Sequence, residues 1–128
     1  MNVSIKVTKG FKRQVKPLIK KYVSLKSELK ELQFSLMEEP EQGILIAADV
    51  YKIKMGVKSK GRGKSGGVRI ITFVETLILA EVEEVDTDSE EVIEKVVNLI
   101  AIYDKADTES IDQHEVEMLL SEIEFDEE

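Results

Sequence analysis

Residues 51–69 constrain the fold more than any other stretch of the chain. Tyr51, Ile53, Met55 and Val57 alternate with Lys52 and Lys54, which gives an extended segment one apolar face and one cationic face. The run Lys58-Ser59-Lys60-Gly61-Arg62-Gly63-Lys64-Ser65-Gly66-Gly67 follows and reads as a loop. Residues 68–74 are then apolar and β-branched, the pattern of a central strand. Between residues 50 and 74 there are seven Lys and Arg and no acid, with Asp49 and Glu75 as the flanking acids. Glycine lets backbone come close to a ligand, and clustered cations attract phosphate. The combination points to RNA or another phosphate-bearing partner.

The rest of the chain makes this segment stand out. Net charge is -8 over 128 residues, but the charge is divided unevenly. Residues 1–74 hold 16 Lys and Arg against 6 acids, a net +10, whereas residues 75–128 hold 2 against 20, a net -18. A ligand feels the nearest charges most strongly, because the Debye length is about 8–10 Å at physiological salt. The overall acidity therefore does not exclude a nucleic-acid partner. The length fits one compact domain, and 42% apolar residues can build a core. There is no cysteine, which excludes disulfides and thiolate zinc sites and fits a reducing compartment. No apolar h-region opens the chain, and no apolar run approaches the ~18–20 residues that span a bilayer. The expectation is a cytoplasmic protein with no membrane association.

Along the chain, Val3, Ile5 and Val7 alternate as a short opening strand. Phe11, Val15, Leu18, Ile19 and Tyr22 follow helical spacing with lysines between them, and Pro17 predicts a kink or a fresh start there. Ser24 is the expected N-cap of a second helix with the stripe Leu25, Leu29, Leu32 and Leu36, ended by Pro40 and Gly43. Residues 44–57 read as extended. The acidic stretch 75–94 reads as an insertion, with Leu77-Ile78-Leu79 a possible strand extension. Residues 96–103 form a strand candidate, with helix over 90–99 the alternative. Ser110 and Gln113 make a capping box before a last helix faced by Val116, Leu119, Leu120 and Ile123, and the tail 124–128 is expected to fray. The order β-α-α-β-β-β-α favours an α+β fold with an antiparallel sheet.

Each candidate site has a plain counterpart. Gly63-Lys64-Ser65 matches the end of a P-loop, but the glycine required five residues earlier is Lys58, and a strand rather than a helix follows. Nucleotide binding through this segment is therefore set aside. Lys52 and Lys54 alone would be a solvated sheet face that deters edge pairing. Beside Lys58, Lys60, Arg62, Lys64 and Arg69, an anionic ligand explains them better. His114, the single histidine, lies opposite the last helix's apolar stripe and reads as a surface residue, which with no cysteine leaves no metal site to expect. The acidic segments read as solubilising, or as a shield for the basic site. Tyr103 and Lys105 are as compatible with a structural role as with a site.

These residues resemble a known family. The sequence is similar to the RelE/HigB-type toxins of bacterial type II toxin–antitoxin modules, in the RelE/ParE superfamily. The resemblance runs through Phe11, Lys16, Leu18, Lys20-Lys21-Tyr22, Ser24-Leu25 and Leu29 to Pro40 and Gly43. It is strongest in Tyr51-Lys52-Ile53-Lys54 and in the Gly63-Lys64-Ser65-Gly66-Gly67-Val68-Arg69 element, and it resumes at Ile102-Tyr103-Asp104-Lys105 and Glu109-Ser110-Ile111. It implies a small twisted antiparallel sheet with two N-terminal helices packed on it and a C-terminal helix. It also implies metal-independent cleavage of mRNA on the ribosome, in which the 2′-hydroxyl attacks the adjacent phosphate and leaves a 2′,3′-cyclic phosphate. No cofactor is implied.

On this resemblance Lys52, Lys54 and Arg69 occupy the basic active-site positions. Arg69 would hold the scissile phosphate, and Lys54 or Lys52 would act as general base where crowded cations ease loss of its proton. Tyr103 would stack on or hydrogen-bond a base, and Lys105 would stand near the leaving oxygen. Lys58, Lys60, Arg62 and Lys64 would grip ribosomal or messenger RNA. The implied partners are the ribosome with its mRNA and a cognate antitoxin protein. Two other classes remain open: a ParE-like toxin that binds DNA gyrase without nuclease activity, and an RNA-binding module that has lost turnover.

Overall fold

The protein is described by a computed structural model that covers residues 2–60, 66–79, 92–107 and 111–126. The elements are β1 (Asn2–Val7), α1 (Lys9–Lys21), α2 (Leu25–Glu38), β2 (Ile44–Ala47), β3 (Val50–Met55), a 3-10 turn (Lys58–Lys60), β4 (Val68–Leu79), β5 (Val92–Asp104) and α3 (Gln113–Ser121). The five strands form one sheet in the order β1-β5-β4-β3-β2. The class is α+β, with two helices N-terminal to most of the sheet and one C-terminal to it. The sheet is mixed, however: β1 lies parallel to β5, from Asn2 opposite Glu94 to Val7 opposite Leu99, and the other pairings are antiparallel.

Each face of the sheet has its own apolar cluster. On one, α1 and α2 bring Phe11, Tyr22, Leu25, Leu32 and Leu36 against Ile53, Val57, Val68, Ile70, Val74, Val97, Leu99 and Ile102. Tyr51 and Met55 join them, as the alternation of β3 predicts. On the other face Val116 of α3 is buried with Val50, Ile71, Ile100 and Ala101, and Phe73, Tyr103, Leu119 and Ile123 pack around them. Leu99 and Ile102 face the first cluster while Ile100 and Ala101 face the second. A register shift explains this. Ile71 pairs with Ala101 but Thr72 with Leu99, so Ile100 is an extra residue in β5, a bulge that resets the alternation beyond it.

Local chemistry departs from the sequence reading at several points. α1 runs unbroken through Pro17. Its apolar side is packed on both sides of the proline, and Pro17 is exposed, so water can serve the Arg13 carbonyl that loses its partner. The Thr8 hydroxyl accepts from the Phe11 amide (3.2 Å) and donates to the Leu99 carbonyl (3.0 Å), which ties the start of α1 to β5. Ser24 precedes α2 but keeps helical torsions and makes no side-chain cap. Its hydroxyl donates to Glu28 instead, at 2.9 Å.

Residues 44–57 divide into a hairpin, with Ala47 opposite Val50 and Asp49 at a φ of 60°, a left-handed torsion that aspartate tolerates better than most residues. Residues 92–99 are strand, not helix. The ends of the expected acidic insertion are sheet, since Leu77 pairs with Glu94 and Leu79 with Val92, while residues 80–91 lie outside the described residues. The cap of α3 is Asp112, whose Oδ1 accepts from the Glu115 amide at 2.8 Å; Ser110, the expected cap, lies outside the described residues. The tail 124–126 has contacts of its own. It docks on α1, and residues 127–128 lie outside the described residues. Among the described residues no helix is long and apolar enough to cross a membrane.

Candidate functional site

Three of the sequence-derived residues form one row across the middle of the sheet. Lys54 of β3 is opposite Arg69 of β4, and Arg69 is opposite Tyr103 of β5. Residues directly opposed across strands project from the same face, and strands lie about 4.8 Å apart, so the row spans roughly 10 Å. Lys52, two residues from Lys54, shares that face one step along, opposite Ile71. It is the face on which α3 packs, opposite the face that takes α2 and the apolar side of α1. The bulge at Ile100 matters here because it determines that Tyr103, rather than Ile102, completes the row.

The four side chains differ in access. Lys54 is exposed and Lys52 half-buried. Arg69 is only 4% exposed, and its Nη1 donates to the Val68 carbonyl at 3.3 Å. A guanidinium withdrawn this far is not presented to solvent, so the expected phosphate contact requires that it be uncovered. Tyr103 is half-buried, and its hydroxyl has no hydrogen-bond partner among the described residues. Burial pushes the Tyr103 phenol up from its ordinary range; the nearby Arg69 charge opposes that shift and Glu115 of α3 adds to it. Tyr103 and Glu115 also line a 280 Å³ cavity with Gln14, Ala101, Ile111 and Met118. The phenol is a neutral donor without a partner among the described residues, at the edge of a cavity.

The remaining candidates are placed elsewhere. Lys58 starts the 3-10 turn, where its amide donates to Glu28 Oε2 at 2.8 Å, and Ser59 beside it bonds Ser24. This turn is anchored to the start of α2, outside the row, and Lys58 lines a 530 Å³ cavity together with Lys54. Lys60 ends the same turn, and its side chain lies outside the described residues, as do Arg62 and Lys64. Lys105 follows β5 and is half-buried, with its amide donating to the Gly67 carbonyl at 3.1 Å. Gly67 has a structural reason of its own: a Cβ there would stand 2.0 Å from the Met55 carbonyl oxygen, so only glycine lets β3 and β4 close at this end.

One participant was missed from sequence. Asp104, 2% exposed, accepts from the Tyr22 hydroxyl at 2.5 Å and from the Ala106 amide at 2.9 Å, with Lys21 Nζ 3.9 Å away. These contacts fix the segment that carries Tyr103 and Lys105. Its signal was available: alternation along β5 turns Asp104 toward the helices, and an acid on a core-facing position needs a partner. Among the described residues, no three His, Asp or Glu side chains converge as metal ligands.

No protein-family model, curated protein or solved structure matches the chain.

Proposed function

We propose that the chain is the toxin of a bacterial type II toxin–antitoxin module, a metal-independent endoribonuclease of RelE/HigB type that cuts mRNA on the ribosome. The observation that supports it is the Lys54–Arg69–Tyr103 row with Lys52 beside it, two ammonium groups, a guanidinium and a neutral phenol on one sheet face. On this reading Lys52 or Lys54, reacting as the free amine, accepts the 2′-hydroxyl proton as O2′ bonds to phosphorus. The phosphorus–O5′ bond breaks, and the departing 5′ oxygen takes a proton from solvent, with Lys105 as a further cation near it. Arg69 neutralises charge on the phosphoryl oxygens, the electrostatic contribution that matters most in such transfers. Tyr103 positions a base by stacking or by its hydroxyl. On this reading the free chain, with Arg69 4% exposed, is a resting form, and engagement of the ribosome uncovers the guanidinium.

The same burial supports a second reading, an RNA-binding module of the same face without turnover. Both readings are separated by one experiment. The chain is added to a translating extract and the 5′ ends of a reporter mRNA are mapped by primer extension. Cuts within translated codons that vanish in Lys52→Ala/Lys54→Ala, two substitutions outside the core, support the nuclease. Cutting that persists in that variant removes the assigned chemistry, and RNA binding with no cutting by the parent chain establishes the second reading. A neighbouring gene for a small antitoxin would tie the activity to the module.

A further inference from the structure

The N-terminal quarter of the chain carries charge of one sign. Residues 1–27 contain eight Lys and Arg and no acid, and residues 106–128 contain ten acids and neither Lys nor Arg. On α1, Lys9, Lys12, Arg13, Lys16 and Lys20 recur at helical spacing and are all exposed. They lie opposite Phe11, Val15, Leu18 and Ile19, which pack on the sheet. The stripe is about 16 Å long, enough to follow several backbone phosphates.

The acidic terminus already occupies one end of it. The Lys9 amide donates to the Glu124 carbonyl at 2.8 Å, and Lys9 Nζ lies 3.7 Å from the Glu124 carboxylate. Lys12 pairs with Asp126, and Lys6 Nζ stands 5.5 Å from the centroid of the Phe125 ring. Lys12 first, then Lys9 and Lys16, hold the Asp126 carboxyl below the usual carboxylate range. The tail thus sets two carboxylates on the N-terminal end of the cationic stripe. Arg13, Lys16 and Lys20 beyond it make no ion pair with an acid of the described residues.

We propose that the cationic stripe of α1 is a docking surface for a nucleic-acid phosphate backbone, and that residues 124–126 are a built-in competitor covering its N-terminal end. Charge complementarity selects this occupant. The apolar side of α1 is spent on the sheet, so no apolar stripe is left to enter a bilayer. The tail is held at the surface by two exposed ion pairs, one backbone hydrogen bond and the Lys6–Phe125 contact; exposed ion pairs contribute little, and a polyanion that releases many counterions competes for the same lysines. The surface is separate from the Lys52/Lys54/Arg69 face and does not depend on the nuclease reading.

The test is fluorescence anisotropy of a labelled RNA hairpin and its DNA counterpart, titrated with the full chain at about 0.1 M salt. Glu124→Gln/Asp126→Asn should bind roughly tenfold more tightly, and its salt dependence should steepen by about two as two lysines are freed. Arg13→Gln/Lys16→Gln/Lys20→Gln should bind roughly tenfold more weakly. All five side chains are exposed, so both variants should keep the parent melting temperature, and deletion of residues 124–128 provides a second version of the tail test. Lys52→Gln/Lys54→Gln should preserve the tail effect, which separates this surface from the other face. Preference for the RNA hairpin or the DNA hairpin identifies which backbone the stripe serves. An unchanged affinity in the α1 variant, or an unchanged or weaker one in the tail variants, overturns the proposal.

Discussion

The Tyr22 hydroxyl donates a 2.5 Å hydrogen bond to the Asp104 carboxylate, joining the end of α1 to the end of β5 across 82 residues of sequence. Both groups are withdrawn from water, Tyr22 at 8% and Asp104 at 2% exposure. In Tyr22→Phe the carboxylate loses this donor while the packing of the ring is kept. The expected loss of stability is about 1–3 kcal/mol, read from urea denaturation. Amide exchange at Lys105 and Ala106 should quicken, since their turn hangs from Asp104. A stability change under a few tenths of a kcal/mol would mean that the bond does not anchor the turn.

Two glycines should respond in opposite directions. Gly67→Ala forces a Cβ against the Met55 backbone and should destabilise by about 2–3 kcal/mol or more. Gly10 sits inside α1, where a Cβ would meet nothing closer than 3.8 Å. Gly10→Ala should therefore stabilise by about 0.5–1 kcal/mol through the unfolded chain's lost freedom. Thermal melts of the two variants side by side provide the check.

Tyr103→Phe separates folding from function. Its hydroxyl is buried without a partner among the described residues, so removing it should leave stability within about 0.5 kcal/mol of the parent, or slightly raise it. On the proposed mechanism the same change reduces mRNA cutting if the hydroxyl contacts a base, whereas Tyr103→Ala reduces it if stacking dominates. A Phe variant that loses substantial stability would show that the hydroxyl serves the fold.

Glu41 makes stability depend on pH. Its Oε1 accepts from Lys95 Nζ at 2.5 Å, Lys95 also donates to Thr76 (2.8 Å), and the Tyr51 hydroxyl reaches Glu41 Oε2 at 3.4 Å. The Lys95 hydrogen bond, foremost, holds the Glu41 carboxyl below its ordinary 4.5. A carboxyl whose folded pKa is lowered stabilises the fold above its unfolded value, and that stabilisation is lost as pH falls through the folded value. The melting temperature should therefore drop below about pH 4.5, and Glu41→Gln should flatten part of that drop. Parallel curves for the two proteins would count against the clasp.

Much of the fold was legible in short patterns. Alternation in 51–57 separated Tyr51, Ile53 and Met55 from Lys52 and Lys54, and the structure keeps that division across the sheet. Helical spacing located α1 and α2, and the α+β class follows from the order of these patterns. Signals that depend on one or two residues were less reliable. Pro17 did not break α1, Ser24 did not cap α2, and the two-residue turn at Ala48-Asp49 was hidden inside an extended run. In each case packing on the sheet or a pairing partner outweighed a local preference of a few kcal/mol or less.

The candidate site divides in the same way. Residue types, the charge asymmetry and the faces of single strands belong to the sequence, because periodicity and side-chain chemistry are local properties. Which residues meet belongs to the tertiary structure. The Lys54–Arg69–Tyr103 row needs the register of three strands and an extra residue at Ile100, and a one-residue slip would turn Tyr103 to the other face. The burial of Arg69, the Tyr22–Asp104 bond and the acidic tail on Lys9 and Lys12 all join segments far apart in the chain. Those contacts follow from three-dimensional packing and long-range charge pairing, which no window of neighbouring residues contains.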